Sequence, residues 1–330
     1  MPAAKITNVG FVIKQFIYLN FGETKILSFY SQLIFIMFPL PILQEIPFHL
    51  ISNTNVKVDV LRLDTVHPVI SGNKWFKLKY YLQDAIEKSL PTIATFGGAF
   101  SNHIVATAFA AKETGLHSIG IIRGEKPVKL SHTLQNAISY GMELHFVSRS
   151  EYQKKEILKE SFRNVFWIEE GGFGLLGAKG IGDMFIDIDF HKYSHIIVAV
   201  GTGTTMAGII KKTLPYQKVW GISVMKNNTS LLPQVESLLS IGESKKDFEL
   251  LHDFHFGGYA KKTPALIHFM NETFAYVNLP LDFVYTAKAF YALNSLSNDN
   301  IISAGSSVLF IHTGGLQGNL SLPSGTLIYE

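Results

Sequence analysis

The amino-acid sequence predicts an α/β fold with two open, twisted parallel sheets and helices on both faces. Two observations predict it. From residue 56 onward, short β-rich runs alternate with segments of helical periodicity, which is typical of strands joined by crossover helices. Several of these runs are almost continuously apolar, such as IIVAV within His195–Val200 and VLFI within Ser307–His312. Such runs are expected for parallel strands that are covered on both faces.

The predicted elements follow one another along the chain. Eight segments are predicted strands: Val56–Leu63, Thr92–Phe96, Ser118–Ile122, Glu143–Val147, Asn164–Ile168, His195–Val200, Lys218–Val224 and Ser307–His312. Eight segments have helical spacing: Lys77–Lys88, Ser101–Thr114, Leu130–Tyr140, Glu151–Phe162, Thr204–Leu214, Ser230–Leu239, Thr263–Phe274 and Tyr285–Leu296. The glycine-rich stretch Gly171–Gly182 is interpreted as a loop between two halves of the chain, and therefore as the candidate domain junction.

Length and composition limit the class of protein. A chain of 330 residues is typical of about two domains, and its 47% apolar content supports a large core, which excludes overall disorder. The net charge is +3 without a basic cluster, which argues against a nucleic-acid partner. The sequence contains no cysteine, which excludes disulfides, thiolate nucleophiles and Cys-ligated metals. The histidines lack ligand spacing, so we expect no metal site.

The first forty residues contain the only candidate for a membrane segment. Ile26–Leu43 is long enough to span a bilayer, but serine, glutamine and two prolines interrupt it and no small-residue cleavage site follows. A membrane anchor and a cleaved targeting segment are two alternatives. We favour a third interpretation, in which residues 1–36 are an extension outside the fold and the protein starts at Met37.

Four polar, glycine-containing loops follow predicted strands. They are Ser71–Lys74, Gly97–Asn102, Gly201–Thr205 and His312–Gly315. In an open α/β sheet, ligands bind beyond the carboxyl ends of the strands. We therefore expect these loops to converge on one crevice.

The loop that begins the segment Gly201–Gly208, GTGTTMAG, predicts a site for one phosphate. Its backbone N–H groups and the hydroxyls of Thr202, Thr204 and Thr205 would be donors at a helix N-terminus. The loop lacks the lysine of a Walker motif, and Met206 replaces the third glycine of a dinucleotide fingerprint. An ordinary strand–helix turn is the alternative interpretation.

Lys74 is the candidate nucleophile among three neighbouring lysines. It follows a Gly-Asn turn and heads a predicted helix beside Trp75 and Phe76. A desolvated amine near a positive helix end has a lowered pKa and can act as nucleophile or base. Lys77 and Lys79 are interpreted as structural or solvated, and an exposed helix start is the alternative for all three. A reactive lysine and one phosphate site together favour pyridoxal phosphate as the cofactor.

Motifs distributed along the chain resemble those of one enzyme family. They are Arg62-Leu63-Asp64, His67-Pro68, Ser71–Lys74, Lys77-Leu78, Gly97-Gly98, Ser101-Asn102, Gly201–Gly208, Val284–Thr286 and His312–Gly315. In these motifs, which occur in order from about residue 45 to the C-terminus, the chain resembles the aminocyclopropane-carboxylate deaminase / D-cysteine desulfhydrase family. That resemblance implies pyridoxal 5'-phosphate and the tryptophan-synthase-β-like fold, which is fold type II of the pyridoxal-phosphate enzymes. It also implies a larger domain of residues 37–76 and 166–330 and a smaller inserted α/β domain of residues 77–165.

The resemblance implies roles for single residues on the cofactor side. Lys74 would hold the cofactor as a Schiff base and exchange protons at the substrate carbons, while Asn102 would bind the cofactor's 3-hydroxyl. The phosphate would be bound by five consecutive residues, Gly201, Thr202, Gly203, Thr204 and Thr205. Thr313 or Thr286 would face the pyridine nitrogen, and a neutral partner there would give a weaker electron sink that suits elimination.

Other residues would lie on the substrate side. Ser101 would bind the substrate carboxylate, and Tyr259 and Tyr285 match the family's two active-site tyrosines. His103 is interpreted either as a substrate-side acid or base or as a helix-start residue with a structural role. The chain departs from the family pattern at Phe100, where many members carry glutamine, and at Thr286, where the aminocyclopropane-carboxylate deaminases carry glutamate. The alternative interpretation of Thr286 is a residue that only packs at the start of its helix.

The reaction implied is β-elimination from a small D-amino acid, first of all D-cysteine, to give pyruvate, ammonia and sulfide. Its steps are transfer of the substrate onto the cofactor, removal of the Cα proton, loss of the β-thiol and hydrolysis of aminoacrylate. The alternatives are ring-opening deamination of aminocyclopropane carboxylate, a non-catalytic pyridoxal-phosphate-binding protein, and a nucleotide-binding protein. We expect a cytoplasmic homodimer without nucleic-acid or stable membrane association.

Overall fold

Both predicted sheets are present in the computed structural model, which describes residues 40–47 and 55–329. The strands within those ranges are β1 (Ile42–Ile46), β2 (Lys57–Arg62), β3 (Thr92–Gly97), β4 (His117–Arg123), β5 (Met142–Val147), β6 (Val165–Ile168), β7 (His195–Val200), β8 (Lys218–Ser223), β9 (Phe248–Leu251) and β10 (Ser307–His312). The α-helices are α1 (Asn73–Glu87), α2 (Asn102–Thr114), α3 (His132–Ser139), α4 (Arg149–Tyr152), α5 (Lys155–Glu160), α6 (Leu175–Ile181), α7 (Thr204–Lys212), α8 (Leu231–Glu236), α9 (Pro264–Val277) and α10 (Thr286–Asn298).

The strands form a six-stranded sheet of order β1-β2-β10-β7-β8-β9 and a four-stranded sheet of order β5-β4-β3-β6. All neighbouring strands are parallel except β1, which is antiparallel to β2 at the edge of the larger sheet. The α/β prediction is therefore confirmed, with one antiparallel edge strand added. Strand β1 includes the last two residues of the apolar run 26–43, and the extension predicted at 1–36 lies outside the described residues. Among the described helices, none has both the length and the apolar content needed to cross a bilayer.

Alternate residues of the central strands enter two different cores. In β7, Ile196 and Val198 pack with residues of α1, α6 and α7, whereas Ile197 and Ala199 pack with residues of α9 and α10. Strands that are covered on both faces are apolar at every position, which explains why runs such as IIVAV could be recognised in the sequence.

Strand β6 pairs with β3, so the smaller sheet extends to Ile168. The division into domains at residue 165 stays a prediction. The predicted loop at 171–182 is wrong in its second half, because α6 lies there. A Cβ on Gly180 would overlap the carbonyl oxygen of Phe76, so glycine allows α6 to pack directly on α1. That packing outweighs the low helix propensity of glycine.

Candidate active site

The four glycine-containing loops meet at a cavity of about 550 Å³ between the carboxyl ends of the two sheets. The loops that follow β2, β3, β7 and β10 all contribute to its lining. A volume of this size is typical of sites for small molecules. The expected convergence on one crevice is therefore observed.

Lys74 lies at the start of α1 and its side chain is tied to the loop after β7. Its Nζ donates to Asn73 Oδ1 at 2.9 Å, and Asn73 Nδ2 donates to Thr205 Oγ1 at 2.8 Å. Burial lowers the pKa of Lys74 to about 8, although the charge of Asp282 acts in the opposite direction. A larger share of the amine is therefore neutral, and nucleophilic, near physiological pH than in an ordinary lysine.

The backbone before Lys74 packs directly on the loop after β10. Gly72 has φ +73°, and a Cβ there would overlap the carbonyl group of Thr313. The N–H of Asn73 donates to the same carbonyl oxygen at 3.1 Å. Only glycine fits this position, so the lysine and Thr313 are held close together by main chain.

The loop between β7 and α7 forms a cup of backbone donors at a helix N-terminus. Gly201, Thr202, Gly203 and Thr205 line the cavity, and the first N–H groups of α7 have no partner within the helix. Thr204 differs from the expectation, because its side chain is fully buried and does not line the cavity.

Lys77 lines the cavity and is buried, so the prediction that it is either structural or solvated is wrong about solvation. It is 3% exposed, and its Nζ donates to the carbonyl oxygen of Gly171 at 3.2 Å. Gly171 in turn lies against Thr202 of the cup. Burial holds the pKa of Lys77 well below its usual range, and the charge of Lys74 adds to this effect. Because residues three apart share a helix face, the spacing of these two lysines was the signal that could have identified it. Lys79 instead pairs with Asp183.

The start of α2 presents unbonded polar groups to the cavity. Ser101 is the N-cap residue, yet its hydroxyl makes no capping bond, and both Ser101 and Asn102 line the cavity. Phe100 lies beside them with 57% of its surface exposed, and its ring lies 6.0 Å from that of His132. A free hydroxyl and amide at a helix N-terminus are suited to binding a carboxylate.

His103 is a buried, neutral histidine, in which one ring nitrogen donates a hydrogen bond and the other can accept one. Thr95 Oγ1 donates to Ile168 O at 2.7 Å, so His103 Nε2, at 2.9 Å from the same oxygen, is the donor in that contact. The hydrogen-bond network thereby leaves Nδ1 as an unprotonated atom, and Nδ1 has no partner among the described residues. Burial holds the pKa of His103 well below its usual range, and the charges of Lys74 and Lys77 lower it further. A purely structural role does not explain this open acceptor.

The two predicted tyrosines are in contact at the other side of the cavity. The hydroxyl of Tyr285 donates to that of Tyr259 at 3.1 Å, and the rings pack edge to face. Burial raises the pKa of both hydroxyls, so both are protonated donors at neutral pH. Tyr285 also lies against Gly201 of the cup, which brings the pair next to the presumed phosphate site.

Of the two threonines predicted to face the cofactor, Thr313 lines the cavity and Thr286 does not. The Thr286 hydroxyl donates to Asp282 Oδ2 at 2.7 Å and accepts from the backbone N–H of Asp282 at 2.8 Å. Both of these bonds connect the start of α10 to the turn before it. The helix N–H groups are capped by the carboxylate of Asp282, which accepts from the backbone of Val284, Tyr285 and Thr286. The Thr286 side chain is bonded to this turn and does not line the cavity, which corrects its assignment to the cofactor.

The motif residues Arg62, Asp64 and His312 form a buried ion network under Thr313. Arg62 donates twice to Asp64, at 2.8 and 2.6 Å, and His312 Nδ1 lies 3.0 Å from Asp64 Oδ1. Burial by itself would raise the pKa of Asp64, but His312 and Arg62 together hold it well below its usual range. The network joins the carboxyl ends of β2 and β10, and it explains why these residues accompany the glycine loops in the sequence.

Comparison with known proteins identifies the family. The sequence model of the family described as "Pyridoxal-phosphate dependent enzyme" matches residues 46–314. The chain belongs to this family. The family, the fold class and the cofactor predicted from the motifs are thereby confirmed.

Individual relatives also place the chain near 1-aminocyclopropane-1-carboxylate deaminases and D-cysteine desulfhydrases. The chain is 31% identical over 284 residues to the putative 1-aminocyclopropane-1-carboxylate deaminase of Pyrococcus abyssi, covering 80% of this chain and 86% of the relative. It is 31% identical to the mitochondrial bifunctional D-cysteine desulfhydrase/1-aminocyclopropane-1-carboxylate deaminase of Arabidopsis thaliana, over 76% of this chain and 70% of that one. The crystal structure of an ACC deaminase homologue matches with a TM-score of 0.70 and 27% identity, over 88% and 96% of the two chains.

Pyridoxal phosphate, the family's cofactor, fits the residues present. A buried lysine with a lowered pKa would bind its aldehyde, and the donors at the start of α7, with the Lys77 amine nearby, suit its phosphate. The uncharged Thr313 is the group suited to the pyridine nitrogen. No group of three or more potential metal ligands occurs in the described ranges.

Proposed function

We propose that the protein catalyses β-elimination from D-cysteine, in which D-cysteine and water yield pyruvate, ammonia and hydrogen sulfide. The similarity to the Arabidopsis relative named as a D-cysteine desulfhydrase supports this substrate class. The observation that carries the proposal is the lack of a free carboxylate beside the lysine. In the part of the chain that the structure describes, Glu170 is the one carboxylate lining the cavity, and it pairs with Lys155 at 2.9 Å.

An uncharged partner such as Thr313 favours a reaction with a good leaving group. Bound pyridoxal phosphate supplies an electron sink for the Cα carbanion, and a neutral partner for its pyridine nitrogen makes that sink weaker. A thiolate leaves readily under these conditions, whereas opening a cyclopropane ring demands more assistance. The expected preference for D-cysteine is therefore kept, although it now rests on Thr313 rather than on Thr286.

The side chains of this chain have separate tasks in the proposed reaction. The Lys74 amine removes the proton at Cα, since its lowered pKa leaves it partly neutral. Ser101, Asn102 and the N-terminus of α2 bind the substrate carboxylate. The Tyr285–Tyr259 pair, with both hydroxyls protonated, donates a proton to the departing sulfur.

Ring-opening deamination of 1-aminocyclopropane-1-carboxylate to 2-oxobutyrate and ammonia is the second candidate. The names of the Pyrococcus and Arabidopsis relatives favour it. The tyrosine pair also favours it, because protonated hydroxyls beside the cavity could donate to a ring carbon.

Steady-state assays distinguish the two candidates. D-cysteine, L-cysteine and 1-aminocyclopropane-1-carboxylate are supplied separately, and pyruvate, sulfide and 2-oxobutyrate are measured, with Lys74→Ala as control. We expect D-cysteine to be consumed at least about tenfold faster than the other two. Equal or faster 2-oxobutyrate formation would refute the argument from the neutral partner. Inactivity on all three would indicate another small D-amino acid and would direct attention to Phe100. The homodimer and the cytoplasmic location stay predictions.

A further inference from the structure

The segment that carries Tyr259 has a strained backbone. Phe256, Gly257, Gly258 and Ala260 all have positive φ, with values of 52°, 91°, 119° and 52°. Residues other than glycine adopt this region at a cost in free energy. Contacts with the rest of the protein must therefore hold the segment in place.

Lys288 provides such a contact. It is 0% exposed, and its Nζ donates to the carbonyl oxygen of Gly258 at 2.7 Å. Lysine is rarely buried completely, and here burial lowers its pKa to about 8 in spite of the opposing charge of Asp282. A neutral amine still has N–H groups to donate, so the bond to Gly258 persists on both sides of that pKa.

The position of Lys288 links this bond to the tyrosine pair. It lies on α10, three residues after Tyr285, and Gly258 immediately precedes Tyr259. Lys288 itself does not line the cavity, whereas both tyrosines do. The lysine thus connects the helix that begins after one tyrosine to the loop that carries the other.

We propose that Lys288 is a positioning residue, which holds the Tyr259 hydroxyl against that of Tyr285 by anchoring the carbonyl of Gly258. The inference rests on the proposed function only where it assigns proton donation to the tyrosine pair. The anchor itself concerns the loop and can be tested without any turnover.

The first test compares Lys288→Met with Ser297→Ala. Methionine keeps much of the length of lysine but cannot donate, and Ser297 is a control on the same helix because it is also buried and its hydroxyl has no partner among the described residues. Tryptic cleavage after Lys261 and Lys262, followed by mass spectrometry, reports opening of the loop. We expect cleavage about tenfold faster in Lys288→Met, because cleavage requires local unfolding, and unchanged cleavage in Ser297→Ala.

The second test uses activity and its pH profile in the cofactor-loaded enzyme. Lys288→Met should lower kcat about tenfold or more with little change in KM or cofactor absorption, since a misplacement of about 1 Å can cost ~100-fold. Contact with Tyr259 helps to hold the pKa of Tyr285 above its usual range. Loss of that contact should therefore move the alkaline limb of the profile to lower pH, in Lys288→Met as in Tyr259→Phe.

The double variant Tyr259→Phe/Lys288→Met shows whether the lysine acts through the tyrosine. We expect it to be no slower than Tyr259→Phe alone, because the two residues act as one unit. The proposal is overturned if the double variant loses activity by the product of the two single losses. It is also overturned if the alkaline limb of Lys288→Met stays in place, or if its loop is cleaved no faster than that of the unmodified protein. If Lys288→Met does not fold, Gly258→Ala, which strains the loop at φ +119°, must open the same sites or the proposal fails. If the unmodified protein consumes neither substrate, the proposed function fails, and the cleavage rates still decide the anchor.

Discussion

On the six-stranded side of the cavity, side chains are hydrogen-bonded to one another, whereas on the four-stranded side two polar side chains make no such bonds among the described residues. We call Lys74, Gly201–Thr205 and Thr313 the cofactor wall, where Lys74, Asn73 and Thr205 form a continuous chain of hydrogen bonds. We call Phe100–His103 the substrate wall, where the Ser101 hydroxyl makes no capping bond and His103 Nδ1 has no partner among the described residues.

The difference between the walls reflects what each must bind. A resident cofactor is bound by groups that are already oriented, so little entropy is lost when it binds. A substrate enters and leaves at every turnover, so the groups that bind it must be unbonded in the meantime. A buried polar atom without a partner is costly, and the unpaired Nδ1 of His103 on the substrate wall supports the proposal that this wall exchanges ligands.

The largest expected effect concerns the identity of the reactive lysine. Lys74→Ala should lower kcat by about 10⁴-fold or more, since the other buried lysine of the cavity, Lys77, is bonded to the carbonyl oxygen of Gly171. Borohydride reduction and peptide mapping of the unmodified enzyme should locate the pyridoxyl mass on Lys74. Lys77→Met is the matched control and should retain the label on Lys74. A label on Lys77 would mean that the cofactor wall is assigned around the wrong residue.

Two glycines, one beside each wall, test whether the walls also differ in how tightly their backbones are packed. At Gly72 a Cβ would overlap the carbonyl of Thr313, whereas at Gly98 it would approach only the tip of Arg123, at 3.6 Å. We expect Gly72→Ala to reduce the free energy of unfolding by about 3 kcal/mol and Gly98→Ala by less than about 1 kcal/mol. Urea denaturation of the cofactor-loaded proteins measures both. Equal losses would show that the two walls are equally tightly packed.

The pH dependence of cofactor binding should follow Lys74. Only the neutral amine attacks an aldehyde, and a pKa of about 8 makes the neutral fraction rise about tenfold per pH unit below pH 8. The rate of pyridoxal-phosphate uptake by cofactor-free protein should therefore increase about 50-fold from pH 6 to pH 8 and by no more than about twofold above it. Stopped-flow absorbance measures the rate. A rate that continues to rise toward pH 10.5 would show an ordinary, solvated lysine.

The smallest expected effects separate binding of cofactor from binding of substrate. Ser101→Ala should lower kcat/KM about tenfold through loss of one hydrogen bond to a charged group, without changing cofactor affinity. Thr205→Val should do the opposite, because it breaks the bond from Asn73 on the cofactor wall. Equilibrium dialysis measures the affinity for the cofactor, and steady-state kinetics measure kcat/KM. If either variant changes the affinity and kcat/KM equally, the two walls do not act separately.

In the larger sheet, the sequence predicts the central strands better than the edges. Strands β7 and β10 are covered on both faces, so their apolar runs are distinctive. The edge strands β1, ILQEI, and β9, FELL, were not predicted, because they are short and carry polar or charged residues. Edge strands have little burial to distinguish them from loops, and their existence depends on the neighbour with which they pair.

Site residues were predictable where backbone chemistry dictates the residue type. The glycine at 72, the donors after β7 and the helix-start positions of Ser101 and Asn102 follow from local rules. The bond of Thr286 to Asp282 joins residues only four apart, whereas the burial of Lys77 depends on Gly171, far away in the chain. The motif resemblance favoured a cofactor contact for Thr286, and the local sequence favoured a structural or solvated lysine at position 77 because burial of that amine depends on tertiary packing.

The position of β10 has a consequence for the order in which the chain folds. Strand β10 lies between β2 and β7, although about 250 residues separate it from β2 along the chain. The four-stranded sheet, by contrast, uses one continuous stretch from β3 to β6, so it can form while the ribosome is still producing the remainder. The larger sheet must wait for β10, the third of its six strands in space and the last to be synthesised, and pairings of such long sequence separation form slowly. The cavity is therefore completed only when the final strand is inserted between two strands made long before it.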